Sequence, residues 1–342
     1  MSNSLFSTPI LTKVFNIQLF ADVTDNINTS SSAGLSAEMK EYYDKYLLDN
    51  AEPELYHAQF GQKRSIPKNG GKTIEFRKYD PYPKATKLVE GITPTGRSLT
   101  MKTIKADVDQ YGDYTAIADV VQTTAIDNNL AEATELHGAQ AGRTLDTVIR
   151  EVLVGGTNVQ YADGSVSARS SLVGGKESGN HYLTVDCIKR SVRTLKTANA
   201  KKINGSYVGI VHPDCSYDLT NDPKFEEWHK YAKPEELYNG EIGKIAGVRF
   251  VETTEAKIFE GAGADGRDVY ATLIIAENAY GAIDISGCGL KHIFHNFGEA
   301  GASDPLDQRA TTGWKAMSTA VRLMEPYMVR IETTSTFESG AN

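Results

Sequence analysis

Cysteine is scarce in this chain of 342 residues, which has only Cys187, Cys215 and Cys288. These residues are scattered, odd in number and form no CxxC pair, which argues against a disulfide framework and a structural zinc site. We expect them to be small buried apolar residues. Long apolar runs are also missing. None approaches the ~20 residues that span a bilayer, so no membrane partner is expected.

A targeting segment is not evident near the start of the sequence. Residues 14–20 (VFNIQLF) alternate apolar and polar side chains, and a single lysine precedes them. A secretory signal peptide has instead a continuous apolar stretch after a positively charged region. The pattern therefore favours synthesis in the cytosol.

Two glycine-rich stretches resemble nucleotide-binding motifs, but neither meets the full requirements of such a site. Residues 261–266 fit GxGxxG, but strand-like residues 267–275 follow where a dinucleotide site needs a helix. Residues 70–73 (GGKT) resemble the end of a phosphate-binding loop, but Ile66 stands where its first glycine belongs. Both stretches are better explained as turns, the first of them joining two strands.

The histidines do not mark a metal site. His292 and His295 form an HxxH pair in a strand-like stretch, which would place them on opposite faces, and no nearby carboxylate completes a ligand set. No catalytic, cofactor-binding or metal-binding residue is assigned, so the sequence predicts a protein that is not an enzyme and needs no cofactor. An enzyme that binds a dinucleotide at residues 261–266 stays an alternative.

The charges are divided unequally along the chain. The net charge is −8, but residues 63–105 contain eleven basic and three acidic residues, or +8, which leaves −16 for the rest. A basic arm on an acidic body attracts neighbouring copies in a head-to-tail sense. A merely solvated charge run and a contact with DNA are the alternatives. The favoured hypothesis is contact with an adjacent subunit, made by Lys72, Arg77, Lys78, Lys84, Lys87 and Arg97.

This basic arm is predicted to be an extended β-hairpin over residues 62–107. Prolines and glycines interrupt it so often that a helix is excluded. Between these interruptions, residues 72–77 and 99–104 alternate in the manner of strands. Few of its residues are apolar, so we expect the hairpin to need a neighbour rather than to fold by its own burial.

Helices and further strands are predicted on both sides of the arm. The clearest helical pattern covers residues 127–154, where apolar residues recur with a period of 3.6. Residues 1–34 are predicted to be a flexible arm. Further helices are predicted at residues 35–48 and 184–198, strands at 207–211, 247–253, 268–275 and 279–285, and a C-terminal hairpin of 315–324 with 327–334.

Five short segments carry a family resemblance. They are residues 16–22 (NIQLFAD), 154–158 (VGGTN), 211–214 (VHPD) followed by Asp218 and Leu219, 242–248 (IGKIAGV) and 313–316 (GWKA). In these segments and in the order of its parts, the chain resembles the major capsid proteins of tailed phages, which have the fold named for the phage Hong Kong 97. The closest resemblance is to the coat-protein family named for the podophage N-four.

The resemblance implies an α+β fold with five segments. These are an N-terminal arm and helix (residues 1–61), the extended loop (62–107), a peripheral domain with the spine helix (108–180), an axial domain (181–289) and a return to the peripheral domain with the C-terminal β-hairpin (290–342).

The function implied by the resemblance is that of a major capsid protein. Its copies would form hexamers and pentamers of a closed icosahedral shell around double-stranded DNA, which they would contact without sequence preference. The protein would be made in the bacterial cytoplasm and located in the virion. Portal, scaffolding and decoration proteins are further candidate partners. An encapsulin-like compartment that encloses a cargo enzyme is the alternative.

Overall fold

A computed structural model describes most of the chain from residue 55 onwards. The described residues are 47, 51, 55–67, 71–79, 82–85, 87–88, 90–91, 93, 96–125, 128–174, 181–225, 244–285, 289–299 and 304–337. The predicted arm at residues 1–34 lies outside them. The predicted helix at residues 35–48 also lies outside them except for Leu47, which is buried.

Fourteen strands and four helices are assigned within these residues. The helices are α1 (Asp119–Thr124), α2 (Asn129–Val154), α3 (Val185–Thr197) and α4 (Pro213–Thr220). The strands are β1 (Gln62–Ile66), β2 (Thr73–Tyr79), β3 (Met101–Asp107), β4 (Asp109–Ala118), β5 (Val159–Tyr161), β6 (Tyr207–Val211), β7 (Lys244–Ile245), β8 (Val248–Glu252), β9 (Ile258–Phe259), β10 (Val269–Ile275), β11 (Tyr280–Ile285), β12 (Lys291–His295), β13 (Arg309–Arg322) and β14 (Met328–Thr333).

Most strands belong to two mixed sheets, which confirms the predicted α+β class. One sheet has five strands in the order β1-β11-β13-β12, with β4 also paired to β13. The other has seven strands in the order β5-β14-β10-β6-β8-β7, with β9 also paired to β10. Three of the pairs are parallel, namely β1 with β11, β5 with β14 and β6 with β8.

Helix α2 packs along β13 of the five-stranded sheet. Its 26 residues confirm the predicted long helix and give it a length of about 39 Å at 1.5 Å per residue. The Trp314 indole Nε1 donates to the Gln140 side-chain oxygen (3.0 Å), and the Thr134 and Thr312 hydroxyls lie 3.2 Å apart. The helix and the strand are therefore joined by polar contacts as well as by apolar burial.

The seven-stranded sheet carries the second core, beneath α3 and α4. The helix predicted at residues 184–198 is confirmed as α3, and the Thr184 hydroxyl accepts a hydrogen bond from the Cys187 backbone N (3.4 Å), as an N-cap does. Cys187 and Cys215 are buried in this core as free thiols, as expected. Cys288 lies outside the described residues.

The predicted C-terminal hairpin is wrong. Both strands exist, but β13 pairs with β4, β11 and β12, whereas β14 pairs with β10 and β5 in the other sheet. A 3₁₀ turn at Glu325–Tyr327 carries the chain from one sheet to the other. Alternation identifies a strand but not its partner, and both edges of β14 are taken by strands that are distant in sequence.

Strand β1 also differs from its predicted place. It lies within residues 62–107, which the sequence assigns to the extended loop, but it pairs in parallel with β11 of the five-stranded sheet. Within that range, the antiparallel hairpin consists of β2 and β3. The division of the chain into an axial and a peripheral domain stays a prediction.

A buried acid–imidazole pair joins the segment before β1 to α2. His57 and Asp146 are almost completely buried. One Asp146 carboxylate oxygen accepts from the His57 backbone N and the other contacts the His57 ring Nδ1, both at 2.6 Å. The Tyr280 hydroxyl donates to the His57 carbonyl oxygen, and burial raises the pKa of Tyr280. Three distant parts of the chain therefore meet at one polar centre.

We predict that Asp146→Ala lowers the free energy of unfolding by about 3–5 kcal/mol, because it leaves two buried His57 donors without an acceptor. Glu132→Ala, at an exposed position of the same helix, is the matched control and should cost less than about 1 kcal/mol. Urea unfolding of the soluble subunit measures both variants. Equal effects of the two substitutions would show that the pair does not hold the segment to α2.

Candidate inter-subunit interface

The β2–β3 hairpin forms a two-stranded sheet of its own. Its register runs from Thr73 opposite Asp107 to Tyr79 opposite Met101, which confirms the predicted antiparallel strands. Because side chains alternate across a strand, Ile74, Phe76 and Lys78 lie on one face. The two halves of the hairpin differ in what this face contacts.

The inner half packs on the body of its own chain. Phe76, which is only 5% exposed, is buried in a cluster with Ile66, Ala106, Val108 and Ile283. A Cβ atom added to Gly281 would lie 3.1 Å from the Phe76 ring, so the absence of a side chain there gives the ring its room. The expectation that the hairpin rests only on a neighbouring subunit therefore needs correction for this half.

The outer half exposes large apolar side chains. Leu88 is 69% exposed and Leu99 60%, although both are large aliphatic residues. Tyr79, Tyr82 and Met101 are exposed as well. We call these five residues the apolar tip. Apolar side chains gathered on one exposed segment are typical of an interaction surface, because their exposure to water costs free energy.

Ion pairs neutralise two lysines at the base of the hairpin. Lys72 Nζ lies 2.9 Å from an Asp109 carboxylate oxygen, and Lys105 Nζ lies 2.8 Å from Glu75. Hydrogen bonding to Asp109 raises the pKa of Lys72, and hydrogen bonding to Lys105 lowers the pKa of Glu75. Among the six predicted contact residues, Lys72 thus has a carboxylate partner within its own chain.

The other predicted contact residues lie further out. Lys78 is half-buried and stands directly opposite Lys102, a like-charged pair that is unfavourable across a ladder. Arg77, Lys84, Lys87 and Arg97 are exposed. The Arg97 guanidinium donates to the Lys84 carbonyl oxygen (3.4 Å), so the chain segments that leave β2 and enter β3 are close together at this point.

Sequence reasoning found the cations of this surface but missed the apolar tip. The tip residues follow no period of 2 or 3.6 and stand among prolines and glycines, so no pattern grouped them. The acidic partners at the base, Asp107 and Asp109, were missed because they follow directly after the counted basic stretch. The Thr73 hydroxyl donates to Asp107 at the same end of the hairpin.

The glycine motif lies in a loop between two strands, and the histidine pair lies in a strand. The loop at residues 261–266 joins the antiparallel strands β9 and β10, as predicted. His292 Nε2 lies 2.9 Å from the Thr312 hydroxyl, within the sheet. Among the described residues, no three His, Cys, Asp or Glu side chains are placed to hold a metal ion. The described helices also include none that is long and apolar enough to cross a membrane.

Comparison with known proteins gives one family. The family model described as "Phage capsid protein" matches residues 97–287, which is more than half of the chain. No curated protein sequence matches the chain.

Several solved structures with the same fold are phage capsids. The capsid subunit of cyanophage Pam1 aligns with a TM-score of 0.61 at 16% identity, covering 83% of this chain and 92% of its own. The capsid of cyanophage P-SCSP1u gives a TM-score of 0.60 at 14% identity, with coverage of 81% and 87%. The capsid of Ralstonia phage GP4 gives 0.58 at 13% identity, with coverage of 82% and 88%. These likenesses confirm the predicted fold.

We predict that truncating an aromatic side chain destabilises the free subunit in the inner half of the hairpin but not in the outer half. Phe76→Ala should lower the free energy of unfolding by about 3–4 kcal/mol, because it empties a buried ring site. Tyr82→Ala removes an exposed ring of similar size and should change it by less than about 0.5 kcal/mol. Denaturant titration of both variants tests this. A loss as large for Tyr82→Ala would mean that the tip packs on its own subunit.

Proposed function

The chain belongs to the phage capsid protein family, and on this premise we propose that the outer half of the β2–β3 hairpin contacts the adjacent copy in the shell. As a major capsid protein, it forms the icosahedral head that encloses the phage genome. Its role is structural, and we propose no catalytic residue. The family match favours a phage head over the cargo-enclosing compartment that was the alternative.

The observation that carries this proposal is the difference between the two halves of the hairpin. The inner half shares the core of its own subunit through Phe76, so its position is fixed. The outer half holds the apolar tip together with Lys84, Lys87 and Arg97, and all these side chains are exposed. A second copy would cover the apolar side chains and supply carboxylates for the cations. Apolar burial would then give the affinity and the charges the register.

The exposed side of α2 is a suitable partner surface. Leu136 is 71% exposed on this helix, and Glu132 and Glu135 are exposed close to it along the helix. An apolar side chain flanked by carboxylates is complementary to an apolar tip flanked by cations. We therefore propose that the hairpin of one copy lies over the spine helix and peripheral sheet of the next.

Several finer features of the assembly belong to the same proposal. Residues 181–289 would form the axial domain and meet at the centres of hexamers and pentamers, while residues 108–180 and 290–342 would form the peripheral domain. Portal, scaffolding and decoration proteins are proposed partners. Synthesis would take place in the bacterial cytoplasm, and double-stranded DNA would be packaged inside. The place of the chain in the N-four coat-protein family also stays a prediction.

We predict that shortening the hairpin prevents assembly but not folding. Tyr79 and Met101 are cross-strand partners, so residues 80–100 can be replaced by a two-residue Asn-Gly turn that closes the ladder. The variant should keep the circular dichroism spectrum of the parent and sediment as a monomer, without particles in electron micrographs. Normal shells from this variant would contradict the proposal.

A full-length variant separates apolar contact from charge. Tyr82→Ser, Leu88→Ser and Leu99→Ser together keep every cation of the tip but remove most of its apolar surface. Loss of particles at both low and high salt is expected, because apolar burial is not screened by ions. If this variant assembles like the parent, the apolar tip is not the source of affinity.

The cations of the tip should act mainly on the rate of assembly. We predict that reversing Lys84, Lys87 and Arg97 to glutamate slows particle formation about 10-fold at 50 mM salt, because steering is lost. The slowing should nearly vanish at 0.5 M salt, where charges are screened within a few ångströms.

Light scattering follows this reaction. Lys72→Gln is the matched control, because the Lys72 ammonium already pairs with Asp109 of its own chain, and its rate should stay within about twofold of the parent. A rate that ignores the triple reversal, or that falls equally with Lys72→Gln, would refute steering by the tip.

A further inference from the structure

A second basic stretch lies in the part of the chain that includes α3. Residues 187–213 contain six basic residues and no acidic one, within a chain of net charge −8. The basic residues are Lys189, Arg190, Arg193, Lys196, Lys201 and Lys202. Asp186 and Asp214 flank the stretch, so α3 itself carries four basic residues and one acidic residue, an excess of positive charge that suits an anionic partner.

The fold aligns three of these cations in a row. Helix α3 buries Ile188, Val192 and Leu195 against the seven-stranded sheet. Its opposite face exposes Lys189, Arg193 and Lys196, which follow one another at spacings of four and three residues. At 1.5 Å per residue the row extends over about 10 Å. Arg190 lies outside the row, because its guanidinium donates to the Tyr161 carbonyl oxygen (3.1 Å).

The row borders a shallow groove of about 420 Å³. Its lining consists of Lys189, Val192, Arg193, Lys196, Thr197 and Ala246. Lys202 Nζ lies near Gly247, the neighbour of Ala246, because a Cβ atom added to Gly247 would lie 3.8 Å from it. We call this surface the α3 groove.

A carboxylate lies at one end of the α3 groove. Asp186 lies 3.8 Å from Lys189 and also pairs with Lys224. Among the described residues, Arg193 and Lys196 form no ion pair. Within the described part of the chain their charges are available to a ligand, and the two side chains form the middle and one end of the row.

We propose that the α3 groove binds the phosphate backbone of duplex DNA. Phosphates along one strand advance about 3.4 Å per nucleotide, so a 10 Å row of cations spans about three of them. Among the described residues, no aromatic side chain lines the groove, so this lining gives unpaired bases no stacking surface, which disfavours single strands. The groove is lined by cations, and cation–phosphate contacts position a protein on DNA without specifying a sequence.

A protein partner fits the α3 groove less well. Its apolar floor is limited to Val192 and Ala246, whereas a stable protein interface buries about 800 Å² per partner around an apolar centre. The hairpin of another copy is itself basic and would be repelled. The inference rests on the proposed function to this extent: in a filled phage head, the α3 groove must face the packaged genome.

The predicted binding is weak and strongly dependent on salt. Three or four neutralised phosphates give a slope of about −3 in a plot of log affinity against log salt concentration. Such a contact releases easily, so DNA can move along the inner wall while many copies together hold it near the shell.

Fluorescence anisotropy of a labelled 20-base-pair duplex tests the proposal with the full-chain soluble subunit. The parent should bind at 50 mM salt and lose affinity with the slope given above. Arg193→Glu with Lys196→Glu should lower the affinity at least 10-fold and reduce the slope to about −1. The matched control is Lys63→Glu with Lys291→Glu, two exposed lysines away from the α3 groove, which changes the net charge equally and should stay within threefold of the parent.

Three outcomes would overturn the proposal. Equal losses in both double variants would mean that only net charge matters. Tighter binding of a single strand than of the duplex would exclude a site for the duplex backbone. An α3 variant that binds DNA normally but no longer assembles would assign the groove to an acidic segment of another copy. Particle formation by the α3 variant is scored separately in the electron microscope, so a failure of the hairpin proposal remains distinguishable.

Discussion

The packing of α2 on β13 is the contact on which the rest of the structure depends. Strand β13 is 14 residues long and pairs with β4, β11 and β12, so it organises the whole five-stranded sheet. Helix α2 lies along it, with Gln140 accepting from Trp314 and with Ala141 and Leu145 in the same apolar cluster as Trp314. Burial along this long contact fixes the helix as a rigid axis.

The segments on either side of this axis are held by different means. The chain before β1 is held by the buried Asp146 carboxylate, which takes two contacts from His57. In the described part of the chain, the β2–β3 hairpin packs on the core at its inner half, where the Phe76 ring lies over Gly281 of β11. Beyond that point the large apolar side chains of the apolar tip are exposed, and a two-stranded ribbon gains little stability by itself. In such a subunit the tip is the part that we propose a second copy covers.

The two basic surfaces of the acidic chain differ in their surroundings. At the hairpin, cations accompany large exposed apolar residues such as Leu88 and Leu99, a combination suited to a protein partner. Along α3, Arg193 and Lys196 border a groove with little apolar surface, a combination suited to a repetitive polyanion. The sign of the charge is the same in both places. The apolar surroundings decide which partner each surface fits.

The local elements were largely predictable from sequence because their signals are local. The 3.6-residue period predicted α2 and α3, alternation predicted β2 and β3, and the strand-like residues after the loop at 261–266 predicted a turn there. The resemblance of the sequence to tailed-phage capsid proteins predicted the fold that the solved capsid structures share. The cations of the hairpin were also visible, since they are close together in the sequence.

By itself, then, the sequence determined where helices and strands lie and where charge accumulates, because periodicity and composition act over a few residues. Tertiary structure alone decided that β14 pairs with β10 rather than with β13, because a strand takes whichever edge buries it best, however distant in sequence. It also decided that half of the hairpin rests on its own subunit, and that the α3 cations share one groove. These outcomes depend on which surfaces meet when the two cores form, and residue spacing alone does not predict which surfaces those are.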